Sequence, residues 1–406
     1  EDRFSKQIEE YHDLDKRPDG ALVIREGKGS GAVVLTPSEQ WQKMTVDFSL
    51  RGGAEDRNLN ATPIAVTLLA TYPTLGNTSF QGRFEAPDLS VEAWIAPGTT
   101  RVVVYVPIDI ASVQIDSIDL EVMPDIIQRV RLESPLMSEF HGEPWFHEAY
   151  VTRPEHVDSA TPFVYEVSGF VDGREASDDY NMKEAFRRDF RRINKGQDVV
   201  VVRPNVGCEH GHHVMLDSEV NGPVGTAFVT ELLPYIDEQL APGRTAKNRY
   251  LTGHSSGGWT VVHLMLNEPD AFALGLATAP DPLDLRVFHE IDIYGDTNAF
   301  VDETGEERVF GRNYPKGAEP VTLRMTASDP SLDFFPRQMV SYEAAFGVLD
   351  DDLKPRQLFD RATGEIDPET AKAWRDHDLK LRADELEKSG DTEVFDRLWI
   401  VCGTND

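Results

Sequence analysis

Residues 1–125 alternate apolar and polar positions in short runs. The runs are Ala21–Arg25, Ala32–Leu35, Met44–Leu50, Ile64–Thr71, Leu89–Ile95, Arg101–Val106 and Ser112–Val122. Alternation with period two predicts half-buried strands. Turn residues separate them at Lys28-Gly29-Ser30-Gly31, Arg51-Gly52-Gly53, Leu75-Gly76-Asn77 and Ala96-Pro97-Gly98. With no helical run between them, these strands predict an all-β sandwich or jelly roll over 1–125. Asp13–Gly20 is acidic, but its spacing does not fit a calcium loop, and it reads as a plain turn.

The pattern changes after Met123-Pro124-Asp125. Strand-like runs at Arg129–Glu133, Glu148–Thr152, Phe163–Val167, Val199–Val202, Arg249–Thr252 and Phe272–Thr278 are interleaved with helical runs at Lys183–Ile193, Thr226–Gln239 and Trp259–Leu266. Val199–Val202 is apolar throughout, as a strand covered on both faces must be. This alternation predicts a doubly wound, mostly parallel α/β sheet over 126–406. Residues 283–393 break the rhythm with a hairpin around Glu303-Thr304-Gly305 and a helix opened by Asp367-Pro368, an N-cap followed by proline at the first helical position. A break of this length predicts a cap- or lid-like insertion. The core resumes at Leu398–Cys402.

Of the 406 residues, 71 are acidic and 40 basic, for a net charge of −31. That balance argues against nucleic acid and anionic membranes as partners. No apolar run is long enough for a membrane-spanning helix. The two cysteines, Cys208 and Cys402, each end a strand-like run and are expected to be buried free thiols. Compartment is read as secreted or periplasmic, with cytoplasmic the alternative. The sequence leaves oligomeric state open.

The candidate chemistry lies at Gly253-His254-Ser255-Ser256-Gly257, between a strand-like and a helical run. A bare Gly-x-Ser-x-Gly arises by chance in roughly one chain in seven of this length. The strand before it and the helix after it make it a nucleophile elbow, which lifts Ser255 above a sheet edge. Gly253 and Gly257 flank a turn too crowded for side chains. A serine hydroxyl needs a base, and the base needs an orienting group. Asp406, after the next core strand, is the expected acid, and Asp281 or Asp284 is the alternative. The expected oxyanion donors are the N–H groups of Ser256 and Phe170, the latter after strand Phe163–Val167.

In this architecture the histidine follows the acid. None of the 11 histidines does so here. The expectation is therefore that these residues lack the base, the final strand and the last helix, and are inactive alone. His254 points away from the serine's face, His263 belongs to a buried helix, and His377 precedes the acid. Cys208-Glu209-His210-Gly211-His212-His213 is dense in metal-ligand types, but adjacent ligands rarely surround one ion. It is read as a polar loop beside the site, with no metal and no cofactor.

From residue 130 onward the chain resembles the putative esterase family of α/β-hydrolases, which includes S-formylglutathione hydrolase (esterase D), enterochelin esterase and feruloyl esterase relatives. The resemblance rests on Pro162–Tyr165 leading to Gly169-Phe170, and on Asn221-Gly222-Pro223 leading to Thr230–Pro234. It continues through Gly253–Trp259 and Thr278–Pro282 to Gly403-Thr404-Asn405-Asp406. It implies ester hydrolysis through an acyl-enzyme on Ser255, with Asp406 as acid and small or carbohydrate-linked esters as substrates. Val171-Asp172-Gly173 departs from the Gly-Gly the family often carries there. Residues 1–125 are only weakly similar to jelly-roll carbohydrate-binding modules. Two other readings stand beside it: a non-catalytic binding protein on a degenerate hydrolase fold, and an acyltransferase or peptidase.

Overall fold

The computed structural model describes residues 8–16, 21–24, 30–38, 42–50, 65–72, 76–83, 88–95, 98–105, 113–122, 127–154, 156–189, 192, 197–309, 321–328 and 334–403. The chain divides into two compact units, residues 1–125 and 126–406.

Among the described residues the first unit contains ten strands: β1 (Ile8–His12), β2 (Leu14–Lys16), β3 (Leu22–Ile24), β4 (Ser30–Leu35), β5 (Gln42–Leu50), β6 (Ala65–Tyr72), β7 (Gly76–Arg83), β8 (Asp88–Ile95), β9 (Arg101–Tyr105) and β10 (Val113–Val122). They form two antiparallel sheets, ordered β1-β4-β9-β6-β7 and β2-β3-β10-β5-β8. Alternate residues are buried, among them Met44, Val46 and Phe48 on β5 and Val91, Ala93 and Ile95 on β8. The sheets meet closely at Gly31, where an added Cβ would stand 2.3 Å from Cδ2 of Leu14 on the other sheet.

Two of these strands lie where the pattern reads as a turn. Gly76-Asn77, taken as a turn, opens β7, and the acidic turn contains β2. Both strands are polar or very short, so alternation does not reveal them. Asp13 between β1 and β2 has φ 54°, a left-handed setting that aspartate tolerates. Arg17–Gly20 lies outside the described residues.

The second unit is built on β11 (Ile127–Glu133), β12 (Phe146–Thr152), β13 (Phe163–Val167), β14 (Val200–Pro204), β17 (Arg249–Ser255), β18 (Leu274–Pro280) and β19 (Leu398–Val401), with β15 (Gly207–Cys208) and β16 (Gly211–His212) forming a separate small ribbon. The large sheet is ordered β11-β12-β14-β13-β17-β18-β19. β12 runs antiparallel to both neighbours, and the pairs from β14 to β19 are parallel. Parallel strands with helical crossovers bury both faces, which is why Val200, Val201 and Val202 are all inaccessible. The order reverses around β13. Open α/β sheets leave a crevice beyond the carboxyl ends of the strands at such a point. Here the residues that follow β13 meet the end of β17.

The helices are α1 (Pro135–His141), α2 (Arg174–Glu184), α3 (Val224–Ala227), α4 (Leu233–Leu240), α5 (Ser256–Asn267), α6 (Leu323–Ser328), α7 (Phe334–Phe346), α8 (Pro368–Trp374) and α9 (Leu379–Ser389). A π-turn, Phe228–Leu232, joins α3 to α4, and another, Ala185–Asp189, extends α2. α2 begins at Arg174, well before the apolar periodicity suggests, because its first turns are polar. The second π-turn places Asp189 against Arg203, with Nε to Oδ2 at 2.5 Å, both side chains inaccessible.

The insertion shares the main core. Phe288, Phe300, Tyr342, Phe346 and Trp374 pack in the same cluster as Phe163 and Trp259. Its expected hairpin is a small turn bridging Val301 and Glu307, and Asp367 caps α8 by accepting from Glu369 and Thr370. At the other end of the sheet order, β19 has Trp399 61%, Ile400 46% and Val401 53% exposed. The two cysteines are free, but the expectation that both are buried is corrected. Cys208 is half-buried, and Cys402 is exposed because it follows this outer strand.

Candidate active site

β17 ends and α5 begins within one residue. Ser255 makes that turn with φ 57° and ψ −124°, a setting a non-glycine residue adopts only under constraint. The constraint is visible in the neighbouring glycines. A Cβ on Gly253 would stand 2.3 Å from the Gly257 carbonyl oxygen, and one on Gly257 would stand 2.3 Å from that of Val167 and 2.5 Å from that of Ser168. Any side chain at either position would have to displace backbone.

The loop after β13 closes on the serine from the adjacent strand. A Cβ on Gly169 would lie 3.4 Å from Cβ and 3.9 Å from Oγ of Ser255. Phe170 follows directly, and its ring packs against Gly211 of β16. Ser256, the other expected donor, is the first residue of α5. Two of the elements named from the sequence thus converge on Ser255.

A carboxylate also converges there. Ser255 Oγ donates to Asp281 Oδ1 at 3.1 Å. The second oxygen, Oδ2, accepts from Ser256 Oγ at 2.5 Å, from Gln338 Nε2 at 3.3 Å and from the Tyr342 hydroxyl. Burial, and then the Asp281 charge, hold the Tyr342 phenol well above its usual range, so it stays protonated and donates. Gln338 and Tyr342 come from α7, inside the insertion, and the sequence reading did not single them out. Their spacing of four on one helix face was the available signal.

Asp284 is not part of this cluster. It caps a short turn by accepting from the Arg286 amide and pairs with the Arg286 side chain. Asp406 lies outside the described residues. His254 is exposed, with Nδ1 3.1 Å from the Thr278 carbonyl, and His263 stacks on Trp259. His289 feels the Asp281 charge, although burial is the larger influence and lowers its pKa. It occupies a turn in which it and Glu290 both have positive φ, 50° and 69°.

The segment expected to be a polar loop is instead the β15–β16 ribbon, with His212 and His213 buried. Backbone amides donate to one nitrogen of each ring, Val214 N to His212 Nδ1 at 2.8 Å and Met215 N to His213 Nδ1 at 3.1 Å. Burial lowers the His212 pKa to about 4 against the opposing bond to Ser168 and the Asp281 charge, so the ring is neutral at neutral pH. Burial likewise raises the Cys208 thiol to about 12. Among the described residues no three metal-ligating side chains gather, and no helix is long and apolar enough to cross a membrane. A cavity of about 620 Å³ lies over β13, β17 and β18, and its lining includes Gly169 and His254 but not Ser255.

A family model described as putative esterase matches residues 148–406. Among solved structures, FphF, a fluorophosphonate-binding serine hydrolase of Staphylococcus aureus, is 14% identical over 42% of this chain and 62% of its own, with a TM-score of 0.33. The S-formylglutathione hydrolase FrmB of Staphylococcus aureus is 16% identical over 41% of this chain and 62% of its own, with a TM-score of 0.30. The siderophore hydrolase EstB of Aspergillus nidulans is 15% identical over 70% of this chain and 88% of its own, with a TM-score of 0.33. The chain spans about three-fifths of the length of the first two. No curated protein matches it.

Proposed function

For this chain, which belongs to the putative esterase family, we propose carboxyl-ester hydrolysis through an acyl-enzyme on Ser255. Ser255 Oγ attacks the ester carbonyl carbon, and its proton passes to a histidine, the partner that follows the acid in this architecture. The tetrahedral oxyanion collapses, the C–O bond to the alcohol breaks, and the alcohol leaves with the proton. Water then attacks the acyl carbon by the same route, returning Ser255 and releasing the acid. Ser256 N–H and Phe170 N–H serve the oxyanion. Asp406 orients the histidine, as the resemblance implies. Asp281 holds the serine hydroxyl at rest and must yield that hydrogen bond when the base takes over.

The observation that carries this reading is the strained setting of Ser255 at the carboxyl end of β17, with Gly169 beside it and a carboxylate on its hydroxyl. Strain at a sheet edge is kept where the surroundings force it, and it concentrates at reacting groups. Small or carbohydrate-linked esters are the proposed substrate class. The β-unit, residues 1–125, is proposed to be an accessory to the hydrolase unit, and the 283–393 insertion to form a wall of the site. The test is labelling of the full-length protein with a fluorophosphonate probe. Labelling of the wild type that disappears in Ser255→Ala supports the reading. A wild type that does not label is a binding protein on this fold.

A further inference from the structure

Resting on that reading of Ser255, we propose that His212 is the positioning residue that sets the oxyanion loop Ser168-Gly169-Phe170. His212 Nε2 lies 3.1 Å from the Ser168 carbonyl oxygen. Its other nitrogen, Nδ1, accepts from the Val214 amide at 2.8 Å. An amide can only donate, so Nδ1 carries no hydrogen and Nε2 must carry it. The ring therefore donates to Ser168, and its tautomer is fixed by the chain that follows it.

The ring is also fixed in place. His212 is inaccessible to solvent. Its backbone N–H donates to Ser341 Oγ at 3.1 Å, and Ser341 Oγ donates back to its carbonyl at 2.6 Å. The turn after it is strained: Val214 has φ 44° and Met215 φ 50°, and Leu216 N closes it onto the His213 carbonyl at 3.0 Å. A β-branched residue is a steric outlier in this left-handed region, and such a turn survives only where its surroundings over-determine it.

The same ribbon holds the loop from its other side. Gly211 has φ +107°, and a Cβ there would stand 3.0 Å from Cε2 of Phe170. Ser168 and Phe170, the two neighbours of Gly169, are thus both gripped by β16. A trans peptide carries its C=O and the next N–H on opposite sides of one plane. Holding the Ser168 carbonyl therefore fixes the direction of the Gly169 amide and limits the settings open to the Phe170 amide. α7 completes the arrangement, with Ser341 on the His212 backbone and Gln338 and Tyr342 on Asp281.

The test compares His212→Gln, which carries an amide donor out to the ε position, with His212→Asn, which reaches only the δ position facing Val214. Both are made in the full-length protein. kcat, KM and thermal midpoint are measured with p-nitrophenyl acetate, with Ser255→Ala as control. Loss of a direct oxyanion donor costs about 10²–10³ in rate, so loss of a group that aims one is expected to cost about 10- to 100-fold in kcat, with KM within about twofold. His212→Gln should recover to within about fivefold of wild type. The proposal is overturned if His212→Asn keeps wild-type kcat, or if His212→Gln does no better than His212→Asn. Should His212→Asn not fold, Ser341→Ala decides instead: a several-fold fall in kcat at unchanged KM supports the role, and an unchanged kcat overturns it. A wild type whose turnover survives Ser255→Ala defeats the hydrolase reading first, and the role of His212 falls with it.

Discussion

The hydroxyl of Ser255 donates to Oδ1 of Asp281 at 3.1 Å, while three other donors crowd onto Oδ2 of the same carboxylate. The serine thus holds the less contested oxygen. A hydrogen bond to a charged partner is worth about 1.5–3 kcal/mol when one side is removed. Tyr342→Phe deletes one donor with little change in shape. It is expected to lower unfolding free energy by about 2 kcal/mol, read by urea denaturation. It should also slow fluorophosphonate labelling, because a carboxylate with fewer donors binds the Ser255 hydroxyl more tightly.

The elbow glycines make a contrast with a glycine elsewhere. At Gly257 an added Cβ meets two backbone oxygens at 2.3 and 2.5 Å. Gly257→Ala is expected to abolish labelling even where the protein folds, because the turn carrying Ser255 must move. Gly305 has φ +86° and nothing within 4 Å of an added Cβ. Gly305→Ala is expected to cost about 1–2 kcal/mol, the price of a left-handed alanine, and to leave labelling intact. Paired melting and labelling measurements check both.

The pair of Asp189 with Arg203 is buried at both ends, and Glu166 Oε2 adds a further contact to Arg203 at 2.9 Å. Removing Asp189 leaves the buried Arg203 guanidinium with Glu166 as its remaining carboxylate partner. Asp189→Ala is expected to destabilise by about 3–5 kcal/mol. The double variant Asp189→Leu with Arg203→Met should recover much of that loss. Denaturant midpoints of the three variants decide it.

Acid should weaken the fold through His212. Its native pKa is lowered to about 4 from 6.5. Between those values the unfolded chain binds the proton and the native one does not, so stability rises with pH across this window. The contribution is fully present above about 6.5 and is lost as pH falls through about 4. A shift of this size corresponds to about 3 kcal/mol. His213, lowered by burial in the same direction, adds to it. The urea midpoint should fall between pH 7 and pH 4.5, and His212→Gln should flatten that dependence.

The chain announced the elbow because its glycines sit at fixed spacing between two periodic runs. It announced the parallel sheet because Val200–Val202 and Phe163–Val167 are apolar in strand-length blocks. It did not announce β7, whose residues are mostly polar, nor the start of α2, whose Arg174–Asp179 stretch carries no apolar face. At the site, Ser255 and Gly169 were legible, whereas Gln338, Ser341 and Tyr342 were not. They lie more than 80 residues from Ser255 and reach it only through the packing of α7. His212 and His213 read as part of a polar loop because composition shows polarity and not the backbone partners that let a polar ring be buried.

α7 touches Asp281 through two side chains and the β16 ribbon through a third, and its Arg337 pairs with Asp172 just after Ser168-Gly169-Phe170. A chimera that exchanges residues 283–393 for another chain's segment would therefore dismantle the hydrogen bonds around Asp281 and His212 while leaving every residue of Gly253–Gly257 unaltered. Variation in this part of the polypeptide, remote in the linear order, alters the surroundings of Ser255 without touching Ser255 itself.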